Sequence, residues 1–289
     1  PEFFSMFRTK LFSTVQFPVP NSYHIPNNFT KNEFTDYCLE KIEKKLCEDE
    51  SIAAFVMESG AQVAGGVNIY PAGFQKQVNE ICKKYDVLFV LDEIATGFGR
   101  LGSMVEYKNQ KCHPDIVSFG KMLTGGYLTL AATLVTKKIS DSFLGRFSEM
   151  KHLFHGHTYT GNPIAASLAN ENLRLYQKTK LIQKIQKTSK ILKERISEFY
   201  ELELVGDVRH KGMLMGIELV ENREKKNPIR TKKSINKIVF DEGKKHRIFF
   251  RTLGNIIMLV PPLAISKKEI NLLIDGTLDT IKGITRSIK

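Results

Sequence analysis

Three stretches at the ends of apolar runs are placed to do covalent and proton chemistry. Asp92 closes VLFVL, Lys121 lies just beyond DIVSF, and HGHTYTGNP sits just before a long helix. A lysine flanked by Gly120 and by the TGG of Thr124 to Gly126 lets a ligand approach the backbone closely. A desolvated amine can condense with an aldehyde, and pyridoxal phosphate is the common cofactor that uses one. That cofactor needs an acid partner at its pyridine nitrogen, a task Asp92 can fill. Arg251 offers a planar two-pronged donor suited to a carboxylate. The segment HGHTYTGNP, residues 155 to 163, adds a hydroxyl and turn amides, which are reasonable phosphate donors. Each residue alone has an ordinary reading as well: a loop lysine, an aspartate capping a helix, a surface arginine. His155 and His157 form an HxH pair, but no further ligands cluster with them, so no metal site is assigned.

Such groups must be carried by a rigid frame, and the hydrophobic pattern supplies one. Residues 31 to 48 place Phe34, Cys38, Ile42 and Leu46 at fourfold spacing after a Thr30 N-cap, an amphipathic helix. Ile52 to Met57, ending in Glu58, reads as a buried strand. Pro71 introduces a helix with Phe74, Val78, Ile81, Cys82 and Tyr85 on one stripe, and strand Val87 to Leu91 follows. Strand, crossover helix and strand make a βαβ unit, so a largely parallel sheet covered on both faces is predicted, with reactive groups at its carboxyl edge. Ile116 to Phe119 and Ala131 to Thr136 are further strands. Beyond Asn162 come two long helices, about 162 to 177 and 180 to 200. Short strands follow at Leu202 to Val205, Met213 to Leu219, Ile248 to Arg251 and Ile256 to Val260, with helices at about Ser234 to Lys245 and Lys267 to Ile281. The division predicted is a large α/β domain over 1–170 and a smaller α+β domain over 171–289.

Composition narrows the function classes. The chain has 289 residues, 42% of them hydrophobic, enough to bury a large core. The net charge of +12 raises the question of a polyanionic partner. The lysines, however, alternate with apolar residues along helices, as in 41 to 45 and 178 to 193, and no aromatic residues interleave with them for stacking. A nucleic-acid-binding role is therefore not expected. No apolar run reaches the length of a bilayer span and no signal peptide is evident, so a cytoplasmic location without a membrane partner is expected. The four cysteines lack CxxC spacing and read as reduced thiols.

Two stretches make the chemistry specific. LDEIATGFGRLG, from Leu91 to Gly102, resembles the signature of the class III aminotransferases, and HPDIVSFGKMLTGGYLTLAATL, from His113 to Leu134, resembles their lysine segment. The resemblance runs from about residue 50 to the C-terminus, with motifs in family order. It implies fold type I of the pyridoxal-phosphate enzymes: a mostly parallel sheet in the large domain, incomplete at its N-terminus, with a smaller α+β domain after it. It also implies roles. Lys121 binds the cofactor covalently, meets the substrate and shuttles the proton; Asp92 pairs with the pyridine nitrogen; Ile94 packs on one ring face. Thr158 bonds the phosphate in the neighbouring subunit, with the amides of Gly156 and His157 beside it and Gly156 also near substrate. Arg251, in FFRTLGNIIMLVPPL, pairs with the carboxylate of a keto acid. A homodimer is implied by the role of Thr158.

TGGYLTLAATL is closer to the branch of this family that makes 7,8-diaminononanoate for biotin than to its ornithine or 4-aminobutyrate branches. The expected substrate is thus 8-amino-7-oxononanoate. Relatives that take the amino group from adenosylmethionine commonly have Pro at His157, which leaves adenosylmethionine and lysine both open as donors. Met258 stands where many relatives have Tyr, and Ser59 where they have Pro. Family members also carry, upstream, a Gly/Ser phosphate loop and a ring-stacking aromatic residue without counterpart here. Residue 1 is Pro, and the opening residues begin no helix or strand, so the chain reads as cut at its front. The 289 residues alone are therefore expected to have weak or no activity. Another ω-aminotransferase, an inactive fragment or pseudoenzyme, and a basic binding module are the alternatives.

Overall fold

The computed structural model describes residues 5–288. Helix α1 spans Lys31–Glu48 and begins in a reciprocal cap: Thr30 Oγ1 accepts the Glu33 amide at 3.3 Å, and the Glu33 carboxylate accepts the Thr30 amide at 2.7 Å. It buries Phe34, Cys38, Leu39, Ile42 and Leu46, the predicted stripe with Leu39 added. Strand β1 (Ala54–Glu58), helix α2 (Phe74–Lys84) and strand β2 (Leu88–Asp92) form the βαβ unit. Strand β3 (Ile116–Phe119) pairs parallel to β2, and β4 (Ala132–Val135) pairs antiparallel to β3. The order is β1-β2-β3-β4, so the sheet is mostly parallel as expected.

Its coverage differs from expectation. Phe89, Leu91, Val117 and Phe119 are buried on one face, but alternate residues Val56 and Val135 on the other are 66% and 42% exposed. Helix α2 packs on β2 and α1 packs on α2, so both helices stack on a single face. A periodic apolar run records that a strand has two apolar faces, not which neighbours cover them.

Two helices lead onward, α4 (Pro163–Lys178) and α5 (Leu181–Glu194); α3 denotes the short helix Glu106–Asn109 that follows the Gly-rich loop after β2. The predicted helix over 180–200 is interrupted at Arg195, and Ile196–Tyr200 forms a separate turn. The second sheet is antiparallel, in the order β7-β8-β6-β5, from β5 (Val205–Lys211), β6 (Leu214–Asn222), β7 (Arg251–Leu253) and β8 (Ile256–Leu259). The strand predicted at Leu202–Val205 instead begins at Val205 and runs on through charged residues. Helices α6 (Ile235–Lys245) and α7 (Lys267–Ile288) pack against each other.

The opening segment is not wholly irregular, since Ser5–Lys10 is a 3-10 helix. Further on it straps onto the second sheet. Asn21 Oδ1 accepts the amides of Tyr23 and His24, His24 Nε2 meets the Glu218 carboxylate, and Lys226 Nζ donates to the Tyr23 carbonyl at 2.6 Å. Glu218 also takes Arg209 at 2.6 Å, so the strap ends on an already paired, buried charge.

No described helix is long and apolar enough to cross a membrane. All four cysteines are free. Burial pushes the thiols of Cys38 and Cys112 up to about 11 and that of Cys82 up to about 12, whereas Cys47 is exposed. Thiolate is the reactive form. A thiol-alkylating reagent near neutral pH should therefore modify Cys47 alone, with the other three reacting only after denaturant is added, as read by peptide mass spectrometry.

Candidate active site

In-register pairing brings four polar residues to one edge of the first sheet. Glu58 stands opposite Asp92, Asp92 opposite Ser118, and Ser118 opposite Thr133. The first three are paired residues at or next to the ends of parallel strands, so their side chains share a face and a level. The backbone locks the row: the Ser59 amide donates to the Asp92 carbonyl and the Glu93 amide to the Ser118 carbonyl, both at 2.9 Å. Asp92 Oδ1 accepts the Ile94 amide at 2.7 Å, a two-residue turn that fixes the carboxylate.

Lys121 lies three residues beyond Ser118, in the first turn after β3. Its φ is +41°, in the left-handed region, which costs an L-residue about 1–2 kcal/mol. Backbone strain of this kind persists where surrounding contacts hold it. Here Asn172 of α4 donates to the carbonyls of Met122 and Leu123 at 2.8 and 3.1 Å, and Thr124 Oγ1 donates to the Leu128 carbonyl at 2.5 Å. Gly120 lies close against Ile94, since a Cβ there would stand 3.3 Å from Ile94 Cγ2, a tight contact. Ile94 thus packs between the aspartate turn and the lysine turn.

Electrostatics tie the row together. The half-buried Glu58 carboxyl is raised above the usual range, chiefly by burial. The amides of Val63 and Ala64, at 3.0 and 3.1 Å, oppose that shift, the charge of Asp92 adds to it, and the Lys121 ammonium opposes it. The structure therefore brings Asp92, Ile94 and Lys121 together, with Glu58 as a third ionisable group in the same field.

The remaining candidates lie elsewhere. Gly156, His157 and Thr158 sit in an exposed loop before α4 that closes on itself: Thr160 Oγ1 accepts the His157 amide at 2.8 Å, and His157 Nδ1 accepts the Tyr159 amide at 3.2 Å. Among the described residues, no hydrogen bond or ion pair joins this loop to Asp92 or Lys121. Arg251 is exposed on β7, paired with Met258, and no described residue makes a hydrogen bond or ion pair with its guanidinium.

Sequence reasoning passed over several residues behind the rim. Glu93 is fully buried and accepts the amides of Glu106 and Tyr107 at 2.8 and 2.5 Å, at the N-terminus of α3. Burial raises its carboxyl above the usual range against the pull of those amides. Arg100 is buried too, its guanidinium lowered to about 10 by burial, and its Nη1 donates to the carbonyls of Met213 and Pro261 at 2.8 and 2.7 Å. The signal available was the spacing of Glu93 and Arg100 within a glycine-rich stretch, where isolated charges rarely serve only solubility.

Comparison with known proteins identifies the family. The family described as aminotransferase class-III matches residues 3–281. An adenosylmethionine-8-amino-7-oxononanoate aminotransferase of Aquifex aeolicus is 40% identical over 99% of this chain and 63% of its own length. The protein of the same name from Geobacter sulfurreducens is 40% identical over 98% of this chain and 63% of its own. The crystal structure of the Methanocaldococcus jannaschii adenosylmethionine-8-amino-7-oxononanoate aminotransferase superposes with a TM-score of 0.87 at 38% identity, covering 98% of this chain and 63% of that one. The chain thus spans 63% of the length of these relatives.

Glu58 yields a pH test. A carboxyl whose folded value is raised stabilises the fold below the unfolded value, and that contribution is lost as pH rises through the folded value. Glu58→Gln removes this loss, so the stability of the variant relative to the parent should rise as pH climbs above the ordinary glutamate range. Denaturant midpoints at each pH check it; a constant difference would mean that Glu58 titrates normally.

Proposed function

This chain belongs to the class-III aminotransferase family, and on that footing we propose that it acts in amino transfer to 8-amino-7-oxononanoate, giving 7,8-diaminononanoate, with pyridoxal phosphate as cofactor. The observation that carries the reading is the in-register row of Glu58, Asp92 and Ser118 with the strained Lys121 just past its end. The donor set fits the cofactor: a carboxylate for a ring nitrogen, an amine for an aldehyde, and Ile94 between them, close against Gly120. When bound, the cofactor withdraws electrons from the carbon that loses its proton.

The residues then divide the work. Asp92, held by its turn to Ile94, keeps a proton on the ring nitrogen. Lys121 Nζ would hold the cofactor's aldehyde carbon and, once displaced by the amino donor, would move a proton between the substrate carbon and the cofactor in each half of the reaction. Ile94 holds one ring face flat and excludes water from it. Thr158 Oγ1 and the amide of Gly156, exposed and without bonds to their own rim, suit a phosphate in a second copy of the chain, joined by the His157 amide once its bond to Thr160 Oγ1 opens, so the working unit is a homodimer. Arg251, with an uncommitted guanidinium, takes the substrate carboxylate. The division into residues 1–170 and 171–289 places Arg251 in the second unit and the other residues in the first. A cytoplasmic location suits a small charged substrate, and the names of the relatives favour adenosylmethionine as donor, with lysine as the other arm of the test.

Lys121→Ala should lower product formation by at least about 10³-fold with unchanged circular dichroism. Borohydride reduction of the cofactor-loaded parent should add the cofactor mass to the peptide containing Lys121, and a label on any other peptide removes Lys121 from this role. Formation of 7,8-diaminononanoate with adenosylmethionine or with lysine, set against turnover of ornithine and 4-aminobutyrate, decides donor and substrate.

A further inference from the structure

We propose that Lys211, through its ion pair with Glu106, and Arg100 beside it form a latch that sets where Arg251 stands relative to Asp92 and Lys121. Lys211 is thereby a positioning residue for the substrate carboxylate. The proposal rests on Arg251 as the residue that binds that carboxylate.

Glu106 is fully buried at the start of α3 and is tied to the rim by two routes. Its amide is held by Glu93, the neighbour of Asp92. Its side chain lies against Gly60, where a Cβ would come 2.6 Å from Glu106 Cγ, and Gly60 follows Ser59, whose amide holds the Asp92 carbonyl. Ser103 Oγ and Gln110 Nε2 donate to its carboxylate at 2.7 and 2.6 Å. The cation comes from the other sheet: Lys211, at the end of β5, reaches Glu106 Oε1 at 2.5 Å. A cation offsets the lost solvation of a buried carboxylate more fully than neutral donors do.

Arg100 grips the same turn. Its Nη1 holds the carbonyls of Met213 and Pro261, and its own carbonyl accepts the Met213 amide at 2.8 Å. Gly212 lies between, so close that a Cβ would stand 2.3 Å from the Leu101 carbonyl carbon. From this turn β6 runs outward, with Gly216 opposite Met258 on β8 and Met258 opposite Arg251 on β7. Pro261 lies just past the end of β8. The latch therefore pins the sheet that bears Arg251 at both the β5–β6 turn and the exit of β8. Sliding or rotation of Arg251 against the rim has to break Lys211–Glu106 or Arg100–Pro261. A residue that only held the fold together would affect every substrate alike, whereas a positioning residue acts on the carboxylate.

The test uses the full-length, cofactor-loaded enzyme with Lys211→Met, Lys211→Arg and Arg251→Gln. For K211M, the KM of the carboxylate-bearing substrate should rise about tenfold with kcat within about twofold, and the KM of an alkylamine lacking a carboxylate should not move. Affinity for nonanoate, read by calorimetry without turnover, should fall by a similar factor, amide exchange over 211–216 should quicken, and K211R should restore all three. If K211M does not fold, Lys211→Gln, which keeps a donor to the buried carboxylate, should give a smaller change of the same kind. Should R251Q weaken nonanoate binding while K211M and K211Q leave it within twofold, the latch is overturned. Should R251Q itself leave it unchanged, the carboxylate reading of Arg251 falls and the latch falls with it.

Discussion

Parallel pairing in register is the constraint on which the rest depends. Because β1, β2 and β3 run in one direction and pair in register, the paired residues Glu58, Asp92 and Ser118 near their ends are held at one height and face the same way. A slip of one residue in β2 would turn Asp92 into the helix-covered core and Leu91 out to the rim. The buried Phe89 and Leu91, alternating with Asp92, make such a slip expensive. The hydrophobic core thus does more than hold the sheet: it decides which way the carboxylate points.

Behind that row lies an unusual share of buried charge. Glu93, Glu106 and Arg100 are all inaccessible, and none is satisfied by a simple one-to-one pair. Glu93 takes helix amides, Glu106 takes a hydroxyl, an amide side chain and a lysine, and Arg100 takes carbonyls. Charge buried in this way adds little net stability, but each group accepts only one geometry, so the loop between β2 and α3 has little room to drift. The same loop touches the second sheet, which joins the two halves through directional bonds rather than through apolar packing alone.

Much of this was legible in the residues. Thr30 marked the start of α1 because an N-cap has a local sequence form, though its reciprocal partner Glu33 went unread, and Asp92 and Lys121 were legible because their strands are short, apolar and sharply ended. The strand β5 was misplaced by several residues, since VGDVRHK alternates only weakly and gains its partners from β6, far more apolar than itself. Coverage of the first sheet was also misread, because apolar alternation is blind to where helices stack. Glu106, Lys211 and Asn172 carried no signal at all: a glutamate in EYKN, a lysine in RHKG and an asparagine in a helix read as solvated until the fold shows each turned inward on a distant backbone or charge. Local pattern finds the ends of elements, whereas pairings across 100 or so residues are properties of the packing.

The strap at Asn21 to His24 has its partner on Glu218, 194 residues later in the chain. At ribosomal elongation rates of roughly 5–20 residues per second, the histidine leaves the ribosome about 10–40 s before the strand that receives it. Asn21 can meet Asn68 early in that interval, through a bond of 2.6 Å, but the histidine has to wait for the strand that carries Glu218. Closure of the strap is thus split in synthesis between an early neutral contact and a late charged one.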